Sequence, residues 1–220
     1  MFLEIPKILN LNELNQLKVL AEKAKFVDGK ISNPHNLTKN NLQLDNQSPI
    51  YKESSQILHN ALLRNENFRN FALPSRITPP LLCKYDVNMS YGIHSDNAFI
   101  SQPQQTPIRS DISATFFLND PKSYEGGELV IHIENQKVEI KLDAGAVIIY
   151  PSTYLHEVKA VSNGNRLVAI AFIQSQIRDE KQRELIYNVG EVEALEGFNI
   201  QHENRVRLNF IRQSLIRMWS

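Results

Sequence analysis

Two short stretches hold the side chains best suited to chemistry: Tyr91-Gly92-Ile93-His94-Ser95-Asp96, and Tyr154-Leu155-His156 with Arg166 beyond it. A His-x-Asp followed far downstream by a single His is the spacing of a 2-His-1-carboxylate facial triad. Such a triad holds one face of an octahedral ferrous ion and leaves the other positions open for reactants. Two neutral imidazoles and one carboxylate leave the ion with a net positive charge, which a dianionic co-substrate complements. Arginine stays charged when buried and grips a carboxylate through paired hydrogen bonds. His94, Asp96, His156 and Arg166 therefore read together as an iron oxygenase that consumes 2-oxoglutarate. The keto-acid end would chelate the metal, and the far carboxylate would rest on Arg166.

Each signal also has a plainer reading. His-x-Asp alone is common by chance. A cation that opens an apolar strand, as Arg166 does before Leu167–Phe172, can keep its charged head in water at the strand edge. Strand alternation puts Leu81, Cys83 and Tyr85 on one face with Lys84 opposite. Tyr85 then points inward and its hydroxyl needs a partner, either the co-substrate carboxylate or a backbone carbonyl. Glu128 is a candidate acceptor behind the ligands. Two other functions could use the same triad. One is a non-catalytic iron- or small-ligand-binding jelly-roll module acting as a sensor, which has no need of Arg166. The other is a zinc hydrolase, which would turn over without O2. His35, His59, His132 and His202 lack partners at useful spacing and read as surface or packing residues.

The elements that must position these residues follow from periodicity. Asn10 and Glu13 form a capping-box start, and Leu14, Leu17, Leu20 and Ala24 continue at helical spacing, so a helix spans about Leu11 to Lys25. A second helix runs from Pro49 to Arg64, with proline at a permitted early position. Residues 31–49 read as extended or loop. From Ile77 onward short apolar runs alternate with turn signals. Strands are expected at Leu81–Tyr85, Met89–Ile93, Ile112–Leu118, Glu128–Ile133, Lys137–Leu142, Ala146–Tyr150, Leu155–Val161 and Arg166–Gln174. That pattern predicts an all-β sandwich or barrel. Gly92 permits a close backbone approach or a kink beside the ligands. Asn97–Ser110, with Pro103 and Pro107, shows no apolar periodicity and reads as a long exposed loop bordering the site, of the kind that acts as a lid. Gly126-Gly127 reads as a turn. Helices return over Arg178–Tyr187 and Glu203–Met218. The expected division is a helical and loop segment packing on the core (1–76), a β-core (77–175) and a C-terminal helical extension (176–220).

Composition narrows the partners. The 220 residues carry 24 acidic and 24 basic side chains and an apolar fraction of 42%. That suits one domain with appendages and a sizeable core. The absence of a long basic run argues against a nucleic-acid partner. The apolar runs are strand-length, which argues against a membrane partner. A single cysteine, Cys83, excludes an internal disulfide and a multi-cysteine zinc site. The expected location is cytoplasmic. The apolar stripe of Phe210, Ile211, Leu215 and Met218 serves either packing within the chain or a homodimer, and Trp219 suggests a tied-down terminus.

Several runs resemble the PKHD-type hydroxylases, bacterial relatives of the prolyl and lysyl hydroxylases of procollagen. They are Arg109 to Leu118, Pro121, Tyr124 to Leu129, Lys141 to Gly145, Tyr150-Pro151-Ser152, Leu155-His156, Gly164-Asn165-Arg166, and Gln174-Ser175 through Arg178-Asp179 to Arg183. Asp28-Gly29 and Asn40-Asn41-Leu42-Gln43 extend the likeness to nearly the whole chain. The resemblance implies a mainly β fold with flanking helices around a double-stranded β-helix (jelly-roll) core. It implies Fe(II) on His94, Asp96 and His156, 2-oxoglutarate on Arg166, and L-ascorbate to keep the iron reduced. It implies O2 as a reactant, with succinate and CO2 released as a small-molecule or peptide substrate is hydroxylated. The Gln- and Pro-rich segment after Asp96 departs from the family's composition, so the resemblance does not name the substrate.

Overall fold

The computed structural model describes residues 1–102 and 105–220. The chain opens with β1 (Leu3–Ile5), α1 (Leu11–Lys23), β2 (Phe26–Asp28), β3 (Lys39–Asn40), β4 (Leu42–Leu44), α2 (Pro49–Arg64), α3 (Glu66–Ala72) and β5 (Pro74–Ile77). The core strands follow: β6 (Leu81–Tyr85), β7 (Ser90–His94), β8 (Phe99–Gln102), β9 (Gln105–Arg109), β10 (Ile112–Phe117), β11 (Glu125–Gly126) and β12 (Leu129–Ile133). They continue with β13 (Gln136–Ile140), β14 (Val147–Pro151), β15 (Leu155–Val158), β16 (Val161–Asn163) and β17 (Arg166–Ser175), before α4 (Glu180–Glu196) and α5 (His202–Trp219).

Two antiparallel sheets form the jelly roll. The larger runs β1-β14-β10-β17-β6-β4-β2, with β5 also paired to β17, and the smaller runs β13-β12-β15-β7-β3. Side-chain alternation gives the larger sheet two buried faces. Ile112, Ala114 and Phe116 of β10, with Leu167, Ala169, Ala171 and Ile173 of β17, pack outward against Leu14, Leu17, Leu58, Leu62 and Phe68 of the helices. Phe117, Ile148, Tyr150, Val168, Cys83 and Tyr85 face inward and meet Leu129, Ile131 and Val158 of the smaller sheet. Burial on both faces is why β17 reads as an almost unbroken apolar run. Each large apolar side chain so buried contributes about 1.5–3 kcal/mol. As expected from alternation, Cys83 and Tyr85 share the inner face.

Helices α1 and α2 cover the outer face and start where the sequence says. Asn10 accepts a hydrogen bond from the Glu13 amide at 3.0 Å, and Glu13 returns one from the Asn10 amide at 2.9 Å. Ser48 caps α2, with Pro49 in its first turn.

Three expectations change and one helix is added. The Asn97–Ser110 segment is not an open loop: β8 and β9 form a hairpin in which Phe99 pairs with Arg109 and Ile100 with Ile108. Ile108 is buried, and the Arg109 amide donates to Gln174 on β17. The apolar pair Ile100 and Ile108 was the signal for this pairing, hidden by the Gln- and Pro-rich tip. Pro107 lies within β9, whereas Pro103 falls outside the described residues. The predicted strand Leu155–Val161 is two strands, β15 in the smaller sheet and β16 paired with β11. Residues 1–76 do more than pack on the core, because β1, β2, β4 and β5 join the larger sheet and β3 joins the smaller one. The short helix α3, capped by Asn65, was not read from sequence. At the other end, Leu215, Ile216 and Trp219 pack within the chain against Leu73, Ile177 and Ile186.

Candidate metal centre and co-substrate pocket

His94 ends β7 and His156 lies on β15, and the two are direct cross-strand partners in the antiparallel register. Their rings sit 4.3 Å apart between centroids. Asp96 lies just past β7, where the chain leaves the smaller sheet. One ligand atom from each of His94, Asp96 and His156 falls within 4.8 Å of the other two. His156 Nε2 is 3.7 Å from Asp96 Oδ1.

The imidazoles are held in one tautomer by their own backbone. His94 Nδ1 donates to the Gly92 carbonyl at 2.8 Å, and His156 Nδ1 donates to the Tyr154 carbonyl at 2.9 Å. A carbonyl can only accept, so Nδ1 carries a proton and the neutral form of either ring presents its lone pair on Nε2. Tyr91 stacks on the His94 ring at 3.6 Å, and Tyr150 meets His156 edge-on at 5.3 Å. Gly92 serves close approach, since a Cβ there would lie 2.7 Å from the Thr38 side chain. Asp96 Oδ2 accepts a short hydrogen bond from Ser113 Oγ on β10 of the opposite sheet. Ser113 meets Ser152 Oγ at 2.7 Å, and Ser152 meets Ser110 Oγ at 2.8 Å, all buried. This serine chain was not read from sequence, because nothing local links Ser110, Ser113 and Ser152.

Burial dominates the electrostatics at the cluster. Burial, then the neighbouring His156, lowers the His94 pKa from 6.5 to about 4, so its imidazole is neutral near pH 7. Burial pushes the Asp96 carboxyl above its usual range, against the opposing effects of His156, the Ser113 hydrogen bond and Lys39. A dication would reverse that penalty. Cys83, held up at about 11 by burial, stays a thiol in the inner core and is no competing ligand.

Arg166 opens β17 opposite Tyr85 on β6 and is 1% exposed. Its guanidinium carbon lies 5.0 Å from the Tyr85 ring centre and 5.6 Å from that of Phe117. Its Nε has no hydrogen-bond partner. Among the described residues no carboxylate pairs with it. The edge reading, with the head in water, therefore does not apply. Gly127, at φ +67°, lies against the arginine stem, and a Cβ there would come within 3.0 Å of Arg166 Cδ. Tyr85 is buried beside it, and burial raises its phenol well above the usual value, so the hydroxyl keeps its proton. Glu128 pairs with Lys141 at 3.9 Å, away from the cluster, and His132 pairs with Glu157.

Two connected spaces meet at the ligands. A narrow inner pocket of about 50 Å³ runs between Asp96, His156, Tyr85 and Arg166. A cleft of about 660 Å³ opens outward past His94 and Asp96, walled by Tyr51, Ile100, Ser101 and Phe172. The β8–β9 hairpin, expected as a lid-like loop, thus supplies part of the cleft wall.

Comparison with known proteins identifies the family and the fold. Residues 81–174 match the family model of the 2OG-Fe(II) oxygenase superfamily. A PKHD-type hydroxylase of Sphingopyxis alaskensis is 44% identical over 98% of both chains. The solved prolyl-4-hydroxylase of Pseudomonas putida superposes with a TM-score of 0.56 at 13% identity, covering 79% of this chain and 92% of that one. HygX from Streptomyces hygroscopicus, solved with nickel, 2-oxoglutarate and hygromycin B bound, superposes with a TM-score of 0.54 at 13% identity. It covers 80% of this chain and 84% of its own.

Proposed function

The chain belongs to the PKHD-type hydroxylases of the 2OG-Fe(II) oxygenase superfamily, and from that premise we propose that His94, Asp96 and His156 hold its iron while Arg166 and Tyr85 hold the far carboxylate of 2-oxoglutarate. The protein is an Fe(II)- and 2-oxoglutarate-dependent dioxygenase. When bound, the metal and co-substrate couple oxidative decarboxylation of 2-oxoglutarate by O2 to hydroxylation of a substrate C–H, releasing succinate and CO2.

The observation that carries the residue assignment is the buried guanidinium of Arg166, whose Nε has no partner and which no carboxylate among the described residues neutralises. An uncompensated buried charge costs several kcal/mol, so a protein retains one only where an anion completes it. A sensor that bound iron alone would have no use for it. The donor set fits ferrous iron: two imidazoles whose Nδ1 atoms are engaged by backbone carbonyls, leaving Nε2 toward the cluster, and a carboxylate whose ionisation burial opposes.

The residues divide the work. The Nδ1 hydrogen bonds and the Tyr91 and Tyr150 contacts orient the imidazoles, and Ser113 fixes the Asp96 carboxylate. Arg166 and the protonated Tyr85 hydroxyl point the co-substrate along the inner pocket toward the metal. Val158, Leu129 and Ile170 give that pocket one apolar side. The substrate approaches through the larger cleft. L-Ascorbate as the reductant that keeps the iron ferrous and a cytoplasmic location are part of this reading, supported by the family and by a lone buried cysteine suited to a reducing compartment. No helix among the described residues is long and apolar enough to cross a membrane. A homodimer through the α5 face of the exposed Phe210, Ile211 and Met218 is part of the same reading.

The test is an anaerobic titration with Fe(II) and 2-oxoglutarate. A weak visible metal-to-ligand charge-transfer band should grow with both components. A protein that binds the metal but never develops the band refutes the assignment.

A further inference from the structure

The cleft carries one charged group that the metal and co-substrate do not use. Lys39 is 6% exposed and stands where the cleft joins the inner pocket. It reaches that place through the segment that closes the gap between the two sheets. β3 pairs with β7, Lys39 lying opposite Tyr91, and three residues on β4 pairs with β6 of the larger sheet. Lys39 and Asn41 are buried along this strap, while Asn40 between them is exposed and donates to the Asn88 carbonyl. Lys39 Nζ donates to Ser32 Oγ at 2.6 Å and lies 5.4 Å from the Tyr91 ring centre. Among the described residues no carboxylate lies within 4.0 Å of it. An ammonium has three protons to donate, and Ser32 accepts one.

Charge balance says what should accept another. Asp96 offsets half of a ferrous ion's charge. Dianionic 2-oxoglutarate then leaves the centre one negative charge in excess, and Arg166 cancels it. Lys39 then has only the Asp28 carboxylate acting on it from outside the cleft, and besides Asp96 the cleft lining contains no carboxylate. The rest of the wall is uncharged: Asn46, Gln47, Asn97 and Ser101 offer hydrogen bonds beside the apolar Leu81, Ile100, Ile170 and Phe172.

Resting on the oxygenase reading, we propose that Lys39 anchors a carboxylate of the substrate, and that the substrate is a small acid carrying no cationic group near that carboxylate. An N-acylated amino acid or a peptide C-terminus has this chemistry. A free amino acid is disfavoured, because its ammonium would find no acid in the cleft once Asp96 serves the metal. A cavity of about 660 Å³ has room for such a molecule.

The holoprotein, with Fe(II) and 2-oxoglutarate under anaerobic conditions, is titrated with N-acetyl amino acids. Each is supplied as the free acid and as the matched carboxamide, and perturbation of the charge-transfer band is followed. At least one acid should bind saturably, with its amide weaker by about tenfold or more, the loss for an ionic hydrogen bond. Lys39→Met should lose a similar factor for the acid, Lys39→Arg should recover part of it, and both should bind 2-oxoglutarate as the parent does. Equal binding of acids and amides, no response to any acid, or a Met variant with unaltered acid affinity overturns the proposal. So does a Met variant that loses 2-oxoglutarate affinity instead, which would make the amine a co-substrate ligand. The acid–amide comparison needs no variant, so a folding defect at position 39 cannot mask the result. Absence of the band in the parent protein before any acid is added would refute the oxygenase assignment rather than this one.

Discussion

Replacing Arg166 by methionine should make the metal-free protein more stable while removing its grip on 2-oxoglutarate. Arg166 is 1% exposed, its Nε is partnerless, and its stem lies between Gly127 and the rings of Tyr85 and Phe117. Methionine keeps much of that stem and discards the buried charge. Exchanging a buried charge for a well-packed apolar group of similar volume stabilises by about 1–4 kcal/mol where the charge is poorly compensated. At about 2–4 °C per kcal/mol for a chain of this size, melting of the metal-free variant should rise by several degrees. Binding moves the other way. Truncating one partner of a buried, hydrogen-bonded charge pair costs about 2–5 kcal/mol, so 2-oxoglutarate affinity should fall by roughly 30-fold or more. Differential scanning calorimetry of metal-free protein and anaerobic titration of the Fe(II) form measure the two effects. A variant that melts lower while binding 2-oxoglutarate normally would refute the reasoning, because Arg166 would then be a structural cation with its compensation inside the fold.

Three other perturbations follow from the same geometry. Ser113→Ala removes the donor to Asp96 Oδ2 and should weaken Fe(II) affinity by about 10–100-fold, measured by competition with a chelator; unchanged affinity would mean that the serine chain does not orient the ligand. Gly127→Ala forces a side chain into positive φ with its Cβ 3.0 Å from Arg166 Cδ. It should cost about 1–2 kcal/mol in chemical denaturation and raise the Kd for 2-oxoglutarate, and a neutral result would show that the stem has room to move. His94 takes up its proton at 6.5 in the unfolded chain and at about 4 in the folded one. Between those values the unfolded chain binds more protons, so its contribution is complete above pH 6.5 and is lost as pH falls toward about 4, by up to about 3 kcal/mol. Asp96, pushed up by burial, acts in the opposite sense, so the quantity to compare is the difference between metal-free parent and His94→Asn across that window. A difference that does not change with pH would contradict the assigned shift.

Sequence patterns alone located what depends on short spacing. The capping pair Asn10 and Glu13, the span of α2, and the inward face of Cys83 and Tyr85 follow from local hydrogen bonds and period-two alternation. His94 and Asp96 were legible as a pair because they are two residues apart, and His156 and Arg166 because their types suit the same chemistry. Tertiary structure decided whatever depends on which strands become neighbours. Pairing of β7 with β15 sets His94 opposite His156, and pairing of β6 with β17 sets Tyr85 opposite Arg166. The sheets' approach delivers Ser113 to Asp96, and the strap from β3 to β4 delivers Lys39 to the cleft. Those contacts join residues far apart along the chain, and the free energy that selects them is shared burial across the two sheets. That quantity belongs to the whole assembly of strands and leaves no periodic trace in any single segment, which is why a serine chain and an inward lysine remain invisible until the fold is closed.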